Sequence, residues 1–220
     1  MSRKKLARFE HNRLSENVLE PGKELYETVK GNWRERYFKN DYPIVVEVGC
    51  GRGEYTVGLA RHYPHLNFVG IDRKGDRIAQ GSQAALGYGL MNVAFVRTDA
   101  YRILDFFGKD EVNELWITFP DPQLRISQAK NRLTDPRFLS LYREMLVDEG
   151  VLHLKTDHDV FFDFSIETLS ANGFHDLVTT RDLYSSEMNN LHLGIKTKYE
   201  EIFTRKGFSI KYLKCKKTAY

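Results

Sequence analysis

A chain of 220 residues, 41% hydrophobic and 29% charged with a formal net charge of +3, can bury the core of one α/β domain with extensions and is too apolar to stay disordered. The small positive excess does not by itself name a polyanionic partner. No apolar run approaches the ~20 residues of a membrane span, no leader-like apolar segment opens the chain, and two cysteines without a Cys/His cluster of zinc spacing exclude a disulfide framework and a structural zinc site. The expectation is a cytoplasmic protein with reduced thiols, no membrane and no metal.

Residues 1–20 form the first segment. Met1 to Arg13 carries Arg3, Lys4, Lys5, Arg8 and Arg13 against one acid, Glu10. So few apolar residues predict a flexible basic arm, poorly ordered when alone. Such an arm is either a solvated tail or a segment that meets phosphates and orders on binding. Residues 21–220 then read as a single domain. Pro21-Gly22 marks a turn. Leu25 to Phe38 has roughly helical spacing, and Trp33, Tyr37 and Phe38 suit a cap on a sheet.

Ile44 to Val48 reads as a buried strand running straight into Gly49-Cys50-Gly51-Arg52-Gly53, with a helix beginning at Glu54. Glycines at alternate positions let a ligand press against the main chain, and the helix behind them offers unpaired N–H groups. The dinucleotide fingerprint needs its third glycine where Glu54 stands. The spacing therefore suits the loop of S-adenosylmethionine enzymes better than a pyrophosphate cradle, with a glycine-rich turn of another α/β protein as the plain alternative.

Asn67 to Asp72 reads as the second strand, ending in an acid 23 residues after Gly49. In a doubly wound sheet that carboxylate faces a ribose bound over the first turn, or caps the next helix. Asn92 to Arg97 is the third strand, and Asp99 follows it. Glu114 to Phe119 is the fourth, delivering Pro120-Asp121-Pro122-Gln123. Ligands bind at the carboxyl ends of such strands, and two prolines stiffen the turn that presents Asp121. The competing role for Asp121 is that of a turn residue.

Leu124 to Leu133 carries Arg125, Lys130 and Arg132 with no acid, and is not expected to be a helix. Asp135-Pro136 opens a helix whose apolar stripe, Phe138 to Leu146, reads as core. Gly150 to Thr156 is the fifth strand, ending in Asp157; His158 reads as a capping or surface histidine. Val160 to Ala171 is helical. Gly173 to Thr180 and Gly207 to Lys216 are the last strands, and between them Thr197 with Glu200 fits a capping box.

Glu47-Val48-Gly49-Cys50-Gly51-Arg52-Gly53, Phe119-Pro120-Asp121-Pro122, Lys155-Thr156-Asp157 and Thr197-Lys198-Tyr199-Glu200 together resemble the signatures of the tRNA (guanine-N7-)-methyltransferase family (TrmB type) in order and near spacing. The resemblance covers about residue 20 to the end. It implies a Rossmann-like, doubly wound seven-stranded sheet, mostly parallel with an antiparallel last strand. It implies S-adenosylmethionine as donor and the variable-loop guanosine of tRNA, position 46, as acceptor. Carried over residue by residue, it puts Glu47, Gly49, Gly51, Gly53, Asp72, Asp99 and Asp121 at the cofactor, with Asp121 the catalytic carboxylate. It puts Arg125, Asp157, Thr197, Lys198, Tyr199 and Glu200 at the substrate, and Lys130 and Arg132 against the tRNA. The chain departs from the family where Gln123 replaces an aromatic residue and where Leu124 to Leu133 is less basic than usual. It leaves monomer or homodimer open.

Guanine N7 has a free lone pair at neutral pH, so the expected task of Asp121 is to stabilise the developing purinium rather than to take a proton. Amino-group methyltransferases tend to carry Asn/Asp-Pro-Pro-aromatic here, and Asp121-Pro122-Gln123 lacks the second proline and the ring. The rival readings are a methyltransferase for another RNA, a protein or a small molecule, and a non-catalytic RNA-binding module.

Overall fold

The computed structural model describes residues 2–219. Among them eight strands form one sheet: β1 (Val18–Leu19), β2 (Ile44–Val48), β3 (Asn67–Asp72), β4 (Val93–Arg97), β5 (Val112–Thr118), β6 (Leu146–Thr156), β7 (Phe174–Thr180) and β8 (Lys211–Lys217). Their order is β1-β4-β3-β2-β5-β6-β8-β7. β2 to β6 run parallel, and β8 is antiparallel to both β6 and β7. The expected class and the antiparallel last strand are therefore present. The eighth strand is β1, a two-residue edge that pairs Val18 with Phe95 and Leu19 with Val96. A pair that short has no periodicity to find.

The helices are α1 (Arg3–Leu14), α2 (Glu24–Thr28), α3 (Glu54–His62), α4 (Gly75–Gly87), α5 (Pro136–Met145), α6 (Asp159–Ala171) and α7 (Lys198–Arg205). β2 is buried at all five positions, which is why its apolar run is continuous and not alternating. Val46, Val48, Ile71, Ile117 and Leu154 pack on one face of the sheet. Val45, Phe68, Phe95, Trp116 and Tyr212 pack on the other. A sheet buried on both sides leaves ligands the ends of its strands.

Two segments differ from expectation. The arm is an ordered helix, α1, with the fully buried Asn12 donating from Nδ2 to Gly75 O at 2.8 Å and His11 Nε2 2.9 Å from Ser82 Oγ. Phe9 lies where a Cβ on Gly75 would come within 2.8 Å. Apolar content does not reveal this docking, because polar side chains do much of it. Met1 lies outside the described residues. Residues 25–38 do not form one helix: α2 stops at Thr28, Gly31 turns at φ 72°, and Trp33–Phe38 continues as a π-helix. Trp33 still caps the core as expected, fully buried, with Nε1 donating to Phe106 O at 2.8 Å.

Candidate active site

The glycine loop after β2 and the ends of β3, β4, β5 and β6 converge on one cavity of about 830 Å³. Four carboxylates line it, each from one strand end: Asp72, Asp99, Asp121 and Asp157. Val48, Gly49 and Ile71 contribute apolar wall. Arg73, Lys74 and Arg77 bring positive charge, and Tyr101, Phe138, Tyr199 and Phe203 bring rings.

Local hydrogen bonds aim the carboxylates. Asp72 accepts from Gly51 N at 3.0 Å and from Lys74 N at 2.7 Å, so the second strand end is tied to the first loop. Asp99 caps the 3-10 turn Ala100–Asp105 by accepting from Tyr101 N. Asp121 Oδ1 accepts from Gln123 N at 3.2 Å. The turn that carries Asp121 is anchored on one side by Phe119 N donating to Lys155 O at 2.9 Å. Phe119 (φ 49°) and Gln123 (φ 47°) flank it in the left-handed region, which non-glycine residues adopt rarely and which clusters at functional sites.

Of the residues expected at the cofactor, Gly49, Asp72, Asp99 and Asp121 line the cavity. Gly51, Gly53 and Glu47 act from behind its wall. Gly51 holds Asp72 through its N–H. Gly53, at φ 70°, packs where a Cβ would meet Phe95 Cε1 at 2.7 Å, so it serves the approach of α4 rather than a ligand. Glu47 is 4% exposed; it accepts from Thr56 N at 2.9 Å, from the Thr56 hydroxyl and from Thr118 Oγ1 at 2.5 Å. It therefore clamps α3 to the end of β5. Burial pushes its carboxyl up to about 7, against the lowering effect of those hydrogen bonds.

Of the residues expected at the substrate, Asp157 and Tyr199 line the cavity. Arg125 and Lys198 are exposed and are not among the residues that line it. Thr197 and Glu200 face inward instead. The capping box is present, with Glu200 N donating to Thr197 Oγ1 and Thr197 N to Glu200 Oε2. Glu200 is 0% exposed, and its Oε1 also meets Lys155 Nζ at 2.7 Å and accepts from Tyr184 OH at 2.6 Å. These side chains hold α7, and so Tyr199, against β6. Burial lowers the Lys155 ammonium, and Glu200 opposes that shift.

The loop after Asp121 is not an α-helix, as expected, but residues 126–131 tighten into a 3-10 turn. Lys130 is exposed. Arg132, expected against tRNA, is 8% exposed and turned inward. It follows a short turn that folds the loop back under Pro122 and Gln123, whose carbonyls it reaches.

Arg73, Lys74 and Arg77 on the rim are not among the expected site residues, although they directly follow the strand that ends in Asp72. Lys155 is legible as a lone cation in the apolar run Val151 to Thr156. Phe138, expected as core alone, is buried but also lines the cavity, 4.1 Å from the Tyr101 ring. His158 caps α6 as expected, accepting from Phe161 N, and also lines the cavity.

A family model described as "Putative methyltransferase" matches residues 41–213. The tRNA (guanine-N(7)-)-methyltransferase of Cytophaga hutchinsonii is 46% identical over 216 residues, 97% of this chain and 97% of that protein. The protein of the same name from Bacteroides fragilis is 47% identical over 186 residues, 84% of this chain and 73% of that one. Among solved structures, the 16S rRNA methyltransferase KamB aligns with a TM-score of 0.63 at 16% identity, covering 84% of this chain and 92% of its own; at that identity the likeness shows the fold alone. The strand-end carboxylates, the glycine loop and the near-full-length match to the Cytophaga hutchinsonii enzyme agree: the chain belongs to the tRNA (guanine-N7-)-methyltransferase family.

Proposed function

We propose that this protein methylates N7 of guanine in tRNA, at the variable-loop guanosine of position 46, with S-adenosylmethionine as donor. The observation that carries the reading is the Pro-flanked Asp121 standing at one cavity with Asp72, Asp99 and Asp157, in a chain of this family. The cavity fits the donor. Its volume is within the ~300–1,000 Å³ of small-molecule sites. A carboxylate at the end of β3 suits a vicinal diol, one after β4 suits an exocyclic amine, and Ile71 and Phe138 suit a purine ring.

Asp72 would accept the ribose hydroxyls, held in place by Gly51 N and Lys74 N. Asp99 would accept from the adenine amino group. When bound, S-adenosylmethionine supplies an electrophilic methyl on a sulfonium. Guanine N7 needs no base, so Asp121 works by charge: it lies where the purine becomes cationic. Asp157 and Tyr199, which line the same cavity, would flank the base, and orientation by these walls does the rest. Arg73, Lys74 and Arg77 on the rim, with Arg125, Lys130 and Lys198 exposed nearby, suit the phosphates of the tRNA. No helix among the described residues is long and apolar enough to cross a membrane, and none of their acidic, His and Cys side chains group as a metal site. A cytoplasmic place, where tRNA is found, follows from this reading.

The test is methylation of total tRNA with labelled cofactor, followed by nucleoside analysis and mapping of the labelled nucleotide. Label in 7-methylguanosine of the variable loop is expected. Label in another nucleoside, or label that survives RNase treatment, overturns the reading.

A further inference from the structure

We infer that Arg132 is a positioning residue for Asp121 and not a contact for nucleic acid; the inference rests on Asp121 being the carboxylate beside the reacting base. The turn from Phe119 to Gln123 has few hydrogen bonds of its own. Pro120 and Pro122 have no N–H to donate, and Gln123 N is already given to the Asp121 side chain. Two of its residues hold positive φ without being glycine. Its upstream end is anchored by the backbone of Lys155.

Arg132 anchors the downstream end. Its Nε donates to Pro122 O at 3.2 Å and its Nη2 to Gln123 O at 3.4 Å. The guanidinium is itself pinned, with its carbon 4.4 Å from the centre of the Phe164 ring on α6. Among the described residues no carboxylate pairs with it, so the fork is committed to those two carbonyls. Arg132 therefore closes the loop from Gln123 onto α6 and fixes the two residues after Asp121. The planar guanidinium meets two carbonyls with two nitrogens while its face rests on Phe164, whereas lysine, a compact charge on a flexible stem, has no plane to stack on that ring and fixes the carbonyls less rigidly. Misplacement of a reacting group by ~1 Å costs on the order of 10²-fold in rate.

The test compares Arg132→Lys with the parent in kcat, in KM for tRNA and in the salt dependence of tRNA affinity. Lysine keeps the charge and loses the fork. The expected result is a kcat lower by about 10- to 100-fold, with KM and salt slope unchanged. Phe164→Leu, which removes the platform, should lower kcat in the same direction, and the double variant should be no worse than Arg132→Lys alone. Hydrogen exchange at the amide of Gln123, which is bonded to Asp121 Oδ1, should quicken in both variants, a readout that needs no activity. An unchanged kcat with raised KM, or an Arg132→Met variant whose salt slope falls by roughly 0.7–0.9, makes Arg132 a phosphate contact and overturns the inference. So does unchanged exchange in the turn. A parent without activity on tRNA would refute the functional reading instead, and the exchange measurement would still decide the role of Arg132 in the turn.

Discussion

Replacing Asp121 by asparagine removes one charge at the cavity and little else. Asparagine keeps the shape, and its Oδ1 can go on accepting from Gln123 N, now at 3.2 Å, so the turn should hold. A carboxylate ~4 Å from a full positive charge is attracted by roughly 1 kcal/mol in bulk water and roughly 4 kcal/mol at an effective dielectric of 20. Asp121 is exposed in the free protein, yet it lines a cavity that bound cofactor and tRNA would cover. The value at turnover therefore lies toward the upper figure, and kcat should fall by about 10²- to 10³-fold. KM for tRNA should move little, because distant phosphate contacts dominate binding. Steady-state kinetics with labelled cofactor, alongside a melting curve, reads both constants. A kcat within a few-fold of the parent would show that Asp121 only caps its turn, a task asparagine performs as well.

Lys155→Met strands the buried Glu200 carboxylate and should cost about 3–5 kcal/mol of stability, whereas Lys155→Met with Glu200→Leu should recover much of that; denaturant unfolding checks both, and a single-variant loss below about 1 kcal/mol would contradict a buried pair. Glu47, with its carboxyl raised from 4.5 to about 7, keeps its proton longer in the folded state than in the unfolded one. Its stabilising contribution is therefore complete below pH 4.5 and lost as pH rises through about 7. A cationic cofactor favours the ionised form, so cofactor affinity should rise with pH through about 7 and flatten in Glu47→Gln; calorimetry showing pH-independent affinity in the parent would refute this. Deleting residues 1–13 should lower the salt slope of tRNA binding, by roughly 0.7–0.9 for each phosphate that the helix neutralises. It should also lower Tm, because α1 is docked through His11 and Asn12. An identical slope would make the helix a bystander in binding.

The four cavity carboxylates are legible in the sequence because each stands at the end of an apolar run, and the end of a parallel strand is where a doubly wound sheet exposes a side chain to ligand. The capping box is legible because its two partners are three residues apart. α1 is not, because Asn12 finds Gly75 across 63 positions of sequence. Nor is the direction in which charged residues near the site point. Arg132, Glu47 and Glu200 all read as groups facing a ligand, and all three face inward.

Local chemistry is what the amino-acid sequence determined by itself: a glycine loop after a buried strand, acids at strand ends, a stiff Asp121 turn, and the family signatures. These depend on periodicity, proline and glycine, whose effects act within a few residues. The tertiary structure alone decided which polar groups touch the cavity and which brace it. A buried charge persists only where polar partners meet it, as Lys155 on β6 meets Glu200 on α7 and as the Pro122 and Gln123 carbonyls meet Arg132. Lys155 and Glu200 come together only when α7 packs on the assembled sheet, and although Arg132 is only ten residues from Pro122, its inward turn is set by how the loop folds and by Phe164 on α6, not by any local pattern.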